Sequence, residues 1–238
     1  MLSEIWRLNY LTSTLLFFGV PSVYISLRRP SIIKKTLIFT LVFATPMIYI
    51  LDYMAYVDLS WWVPGSAFRI LHNSIPIEDV PWSYLWVYYA VSFWEFFLDH
   101  DRVKVHIDHH FRFLIAVLAS LSVLFFGAYF FKPEILMQNY FYLKLGIVFI
   151  IIPMTAVLVK FPHLLRKIII LGAYFFMVNL LTEFVGLRQV QWAFIGKNYI
   201  DTFSWMGYKI PLEEIVFYWI LSVPAIICWY EYFADDRK

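Results

Sequence analysis

The sequence is poor in cysteine and in charge: it has one cysteine, Cys228, and only 15% of its 238 residues are Asp, Glu, Lys or Arg. A lone cysteine excludes an intrachain disulfide and any thiolate zinc or iron–sulfur site. A charged fraction so far below the roughly 25% of a soluble domain, with so many apolar residues, also excludes intrinsic disorder. The net charge of +2 is too small for a nucleic-acid-binding surface, so no nucleic-acid partner is expected. No GxGxxG dinucleotide fingerprint occurs. The abundant residues are apolar: 62% are hydrophobic and 21% aromatic, with a mean hydropathy of +0.69. A soluble globular enzyme is thereby excluded. An integral membrane protein remains, with the lipid bilayer as its first partner.

About 20 mostly apolar residues cross the hydrocarbon core as a helix. The sequence predicts seven such helices, at 8–27, 36–57, 80–98, 113–131, 141–159, 168–187 and 215–233. The first lacks a small-residue cleavage site and is expected to be retained. Arg28, Arg29, Lys34, Lys35, Arg102, Lys104, Arg112, Lys160, Arg166, Lys167, Arg237 and Lys238 fall on one side. Arg7, Arg69, Lys132, Arg188, Lys197 and Lys209 fall on the other. This two-to-one bias places the C-terminus in the cytoplasm and the N-terminus outside the cell membrane.

The chain repeats itself. Pro21, Pro30 and Lys35 match Pro153, Pro162 and Lys167 at an offset of 132. Trp62 matches Trp192 at 130, and Ile75–Asp79 matches Ile210–Glu214 at 135. Trp94-Glu95-Phe96-Phe97 resembles Tyr230-Glu231-Tyr232-Phe233 at 136. Helices 1–3 therefore recur as helices 5–7, with helix 4 as linker. The expected units are a first three-helix repeat (1–110), a linking helix (111–135) and a second repeat (136–238). An odd linker returns the chain to its starting side, so the repeats run parallel, about an axis along the membrane normal. The fold class is an all-α membrane protein of 3+1+3 helices.

Acids at membrane depth are rare and are functional candidates by default. Asp52, Glu78, Asp79, Glu183, Glu213 and Glu214 are expected near one depth, in the outer leaflet. A Pro-x-acid-acid start also suits a helix N-terminus, where acids complement the dipole. Its duplication, with both acids kept, argues for more than that. Glu95 and Glu231 lie 17 and 18 residues beyond Glu78 and Glu213, roughly 26 Å along a helix. They read as ion-pair residues at the cytoplasmic edge, beside Arg102 and Arg237-Lys238. Trp62 and Trp192 suit either an interfacial aromatic belt or a cation-stabilising wall near the acids. The string His106-Ile107-Asp108-His109-His110 has the form of a di-iron oxygenase box, but no second box accompanies it. A solvated loop is the better reading, and no metal is expected.

Two parallel three-helix repeats, each opening its last helix with Pro-x-Glu-(Glu/Asp), resemble the lycopene cyclase domain family. Its members are made as two half-proteins or as one fused chain. The motifs here are Pro76-Ile77-Glu78-Asp79 and Pro211-Leu212-Glu213-Glu214, and the resemblance covers nearly the whole chain. Asp52 with Trp62, and Glu183 with Trp192-Ala193-Phe194, fit the family's acid and Trp-x-aromatic segment loosely. The first half departs from it in Trp62-Val63-Pro64 and in the extra Pro81.

The resemblance implies a cofactor-free isomerase that closes β-type rings on the ends of lycopene or a related acyclic carotenoid. Its partners would be that lipophilic substrate and, beyond it, other carotenoid-pathway enzymes or a second copy of the chain. Protonation of a terminal alkene, ring closure on the cation and loss of a proton require a neutral carboxylic acid, a base and aromatic walls. On this reading Glu78 and Glu213 are the proton donors. Asp79, Glu214, Asp52 and Glu183 tune them or take the final proton, and Trp62, Trp192, Trp82 and Phe217 line the substrate. Adjacent acids point about 100° apart on a helix and cannot face each other, so the close pairing of the motif acids is expected across the axis or with Asp52 and Glu183. A small-solute transporter of 3+1+3 architecture is the alternative. The chain lacks the Pro-Gln pairs of the small sugar transporters, whereas Pro46, Pro153 and Pro224 are compatible with broken transport helices. A retinal protein is excluded, because 215–233 contains no lysine.

Overall fold

A computed structural model describes residues 8–99 and 109–235. The protein is mostly helical, at 75%. Six helices are long and apolar enough to cross a membrane: α1 (Tyr10–Arg28), α2 (Pro30–Asp58), α4 (His109–Phe131), α5 (Phe141–Lys160), α6 (Pro162–Arg188) and α7 (Glu214–Phe233). This is the make-up of a multi-pass membrane protein. A further helix, α3, runs from Asp79 through Phe93 and ends in a π turn over Trp94–Leu98. It is less apolar than the rest, carrying Asp79, Ser83, Ser92 and Glu95. Its position explains the difference: α3 packs on α1, α2 and α7 at once, which leaves little of it to face outward.

Helices occupy the seven predicted segments to within a few residues, except that α2, α4 and α6 begin four to six residues earlier than expected; six of the seven, all but α3, are long and apolar enough to cross a membrane. Prolines set several of these boundaries. Arg29 and Phe161 each precede a proline and leave the helical region, at φ −139° and −127°, because proline disfavours that region for the residue before it. A single 3-10 turn then restarts each chain, at Pro30–Ile32 and Pro162–Leu164. Further back, Pro21 and Pro153 each follow a π turn, at Leu15–Gly19 and Gly146–Ile151. A proline cannot donate to the carbonyl four residues earlier. The carbonyl that Pro153 leaves free, that of Phe149, accepts instead from the indole Nε1–H of Trp229 on α7, at 3.0 Å.

Two short hairpins interrupt the helical fold, in the loops that precede α3 and α7. Arg69–Ile70 (β1) pairs antiparallel with Ile75–Pro76 (β2), and Thr202–Trp205 (β3) with Tyr208–Pro211 (β4). The second hairpin turns through Met206 and Gly207, both at positive φ. That geometry matches the right-handed twist of the strands, and glycine enters it without strain. Each hairpin delivers the chain to the N-terminus of a helix, α3 or α7.

Many large apolar side chains point outward. Leu27, Phe131 and Val159 are 76%, 88% and 78% exposed. In water such a surface drives aggregation; against hydrocarbon it carries no penalty. The core is aromatic: Phe39 of α2 meets Tyr230 of α7 edge-on at 5.1 Å, and Phe175 of α6 meets Tyr89 of α3 at 5.0 Å.

Polar contacts between α3 and α7 are reciprocal. Trp94 Nε1–H donates to Glu231, and Tyr230 O–H donates to Glu95. Lys35 binds Asp235 and Glu95, the latter at 3.1 Å, and Lys167 binds Asp99 at 2.7 Å. Trp94–Glu231 matches Tyr230–Glu95, and Lys35–Asp235 matches Lys167–Asp99, across the two halves, whereas Lys35–Glu95 lies within the first. Glu95 thus takes Lys35 as its cation, and the expected pairings with Arg102 and Arg237-Lys238 lie outside the described residues. Glu95, Asp99 and Asp235 are close enough to share a cation, but the ammonium of Lys35 already lies against two of them. Of the histidine string, His106 lies outside the described residues, and His109 and His110 pack on each other with ring centroids 3.8 Å apart.

Candidate active site

At the hairpin end of the bundle a cavity of about 230 Å³ lies between α2, α3, α5 and α7. Its wall is almost wholly apolar, with four carboxyl groups: Asp52, Asp79, Glu183 and Glu214. They form two pairs. Asp52 lies beside Asp79, and Glu183 beside Glu214. The expected pairing of the helix-opening acids with Asp52 and Glu183 is what the structure contains. Each opening acid is also held by a tyrosine from the first helix of its half, α1 or α5. The Tyr10 hydroxyl donates to Asp79 Oδ1 at 2.7 Å, and the Tyr142 hydroxyl donates to Glu214 Oε2. The indole Nε1–H of Trp192 donates to Glu183 Oε1 at 2.9 Å. Asp52 Oδ2, Asp79 Oδ2 and Glu183 Oε2 are buried with no hydrogen-bond partner.

Glu78 and Glu213, expected as the proton donors, are absent from the cavity wall. Glu78 accepts from the Ser66 hydroxyl and the Ala67 N–H, both at 2.7 Å. Glu213 accepts from the Ile200 N–H, also at 2.7 Å. Both anchor the loop that leads to their own helix. The physical reason is the 100° step between neighbours on a helix: turning Asp79 and Glu214 inward turns Glu78 and Glu213 toward the loops. Glu78 lies just outside α3. Partial burial pushes its carboxyl up, but the bonds from Ser66 and Ala67 outweigh this, and its pKa falls below the ordinary glutamate value.

Among the expected aromatic residues, Trp82, Trp192 and Phe217 line the cavity, and Trp62 does not. The cation over Trp62 is the guanidinium of Arg69, 4.2 Å from the ring centroid. Trp62 also exchanges two 2.8 Å backbone hydrogen bonds with Ala193, which ties the two outer loops together. Its neighbour Trp61 takes the place in the wall. Trp82 and Trp86 stack at 5.1 Å, and Tyr218 packs on both. Trp86, Tyr218, Tyr10, Tyr142 and Trp61 were not among the expected site residues. Two signals pointed to some of them. Tyr10 and Tyr142 stand at the offset of 132 that relates Pro21 to Pro153, and Trp86 follows Trp82 by one helical turn.

The arrangement supplies paired carboxyls, aromatic faces and little competing polarity, which suits proton transfer to and from an apolar substrate whose cation the rings stabilise. No family model matches the chain, and no curated protein or solved structure matches it.

Proposed function

We propose that the chain is a carotenoid cyclase, closing β-type rings on lycopene or a related acyclic carotenoid without cofactor or redox change. The observation that carries this reading is the set of two carboxyl pairs in one apolar, aromatic-walled cavity. A small-solute transporter would be expected to line its path with polar groups, and this wall is apolar apart from the acids and a few hydroxyl and indole groups.

In this mechanism the proton donors are Asp79 and Glu214, not their outward neighbours. A protonated carboxyl adds its proton to the terminal double bond, leaving a tertiary carbocation between Trp82, Trp86 and Tyr218. A second double bond of the same chain attacks the cation and closes the ring. A carboxylate of the other pair then removes a proton from the ring, placing the ring double bond. One proton enters and one leaves, so the net change is an isomerisation. Tyr10 and Tyr142 hold the donors in place.

The same reading places all seven helices across the cell membrane as two parallel three-helix repeats joined by α4, with the cavity toward the outer face and the C-terminus in the cytoplasm. Support comes from the matched π turns of α1 and α5, the two hairpins and the reciprocal bonds of α3 and α7. Expression in a bacterial host that accumulates lycopene, followed by chromatography of its pigments, tests the activity. Conversion to one- or two-ringed carotene is expected. Unchanged lycopene and unchanged longer or shorter acyclic carotenoids, with the protein present in the membrane, would remove the reading.

A further inference from the structure

We propose that the cavity opens sideways into the bilayer between α2 and α5, and that it takes the end of a linear unsaturated hydrocarbon whose remainder stays in lipid. This rests on the cyclase reading and adds to it the route, the side and the posture of the substrate.

The cavity departs from the symmetry of its frame. Its wall draws on α2 from Phe43 to Asp52 and on α5 from Tyr142 to Ile150, whereas α1 contributes only Tyr10 and α6 only Glu183. Three positions related by the offset of 132 show why. Met47 of α2 lines the cavity; its counterpart Asn179 is fully buried and donates to the carbonyls of Tyr218 and Trp219 on α7, at 3.0 and 3.4 Å. Leu145 of α5 lines the cavity; its counterpart Ser13 is bonded to Gln191 at 2.8 Å. Ile150 lines the cavity, and its counterpart Phe18 is fully buried with its ring edge-on to Trp82 at 5.9 Å. One seam is filled by hydrogen bonds and a ring, and the other by space.

Among the described residues, bonds close the two ends of the bundle. Over the hairpin end the Trp62–Ala193 bridge joins the loops above the acids. Toward the opposite end Trp94 binds Glu231, and Tyr230 and Lys35 both bind Glu95. Between these closures α2 and α5 meet at their hairpin ends, where Tyr53–Asp58 packs on Phe141–Leu145. Below that contact Leu51, Phe149 and Ile150 line the cavity while staying partly exposed. Size sets the posture. An apolar cavity of about 150 Å³ holds one benzene ring, so 230 Å³ receives the ring-forming end of a polyene and excludes its length. One end reacts at a time, and a two-ended substrate must leave and turn round.

The test separates binding from catalysis. The full chain in lipid nanodiscs is exposed to a linear polyunsaturated hydrocarbon bearing a terminal diazirine, irradiated, and mapped by mass spectrometry. Labels are expected on Met47, Leu51 and Ile150 and not on Ser13, Phe18 or Asn179. In Met47→Trp/Ile150→Trp, labelling and pigment conversion should both fall, on the order of tenfold or more. Leu181→Trp, on the outward face of α6, should change neither. Labels shared equally by both seams, or confined to α1 and α6, would overturn the proposal even if rings form. Seam-specific labelling in a protein that cyclises no pigment would sustain the route and reject the cyclase. If the double Trp variant does not fold, the wild-type map alone decides.

Discussion

Neighbouring side chains in this protein have opposite duties, and substitution separates them. Asp79→Asn and Glu214→Gln each remove a carboxyl from the cavity while keeping its shape and a group able to bond the tyrosine. Pigment conversion should fall by about a hundredfold or more for either, in line with the loss of a positioned acid. Glu78→Gln weakens only a loop anchor and should keep at least about a tenth of the activity; equal loss at Glu78 and Asp79 would restore Glu78 to the chemistry. The same anchor sets a pH dependence. Glu78 titrates lower in the folded chain than in the unfolded one. Its contribution is therefore complete above the ordinary glutamate value of about 4.3 and is lost as pH falls through the lower folded value. Amide hydrogen exchange should show the N–H of Ala67 losing protection in that acid window in wild type, and already unprotected near neutrality in Glu78→Gln. Close packing supplies another lever. A Cβ added at Gly186 would lie 2.1 Å from the indole of Trp192, so Gly186→Ala must push that ring off Glu183. A cost of about 1–3 kcal/mol in thermal unfolding is expected, together with reduced turnover.

Helices in this chain carry their information in where they depart from the regular α form. The repeat offset is 132 at Lys35 and Lys167 but 131 at Asp52 and Glu183. Between them α2 has a π turn, Ile48–Asp52, whereas α6 is α-helical from Leu165 to Arg188. The wider turn absorbs the extra residue, so Asp52 faces Asp79 as Glu183 of the regular α6 faces Glu214. Such single-turn insertions recur at functional sites. Deleting Ile50 should remove the extra residue and the π turn together, leaving α2 regular like α6 with Asp52 on the same side. The expected outcome is a folded protein, by thermal unfolding, that still converts pigment; complete loss of activity in the deletion would show that the π turn itself is needed to place the acid. This also marks what was legible beforehand. Helix positions and the recurring residues follow from hydropathy and spacing alone. The direction of each acid does not, because whether a π turn absorbs an inserted residue decides where everything after it points, and such a turn leaves no periodic trace. The hairpins were hidden for a related reason: two to four residues per strand are too few to show alternation.

Across the whole molecule, the bonds between α3 and α7 make each half complete the other. Lys35 is 4% exposed and sits between Glu95 and Asp235, whereas the side chain of its counterpart Lys167 is 40% exposed. The two lysines are equivalent in sequence and unequal in environment, just as the two seams are. Removing Lys35 leaves buried carboxylates without their cation, so Lys35→Met should cost about 3–5 kcal/mol. Lys167→Met should cost less, about 1–2 kcal/mol, since solvent screens the half-exposed lysine although its partner Asp99 is buried. This asymmetry yields a test of the assembly itself. The loop around Met137 is exposed and lies between α4 and α5, so a chain cut there yields two membrane pieces, α1–α4 and α5–α7. Because every α3–α7 polar bond crosses from one piece to the other, the co-expressed pieces should purify together. Lys35→Met should separate them and Lys167→Met should not. If the cut pieces stay together in both variants, the apolar contacts of Phe39 with Tyr230 and of Phe175 with Tyr89 hold the halves, and the buried charges serve register rather than adhesion.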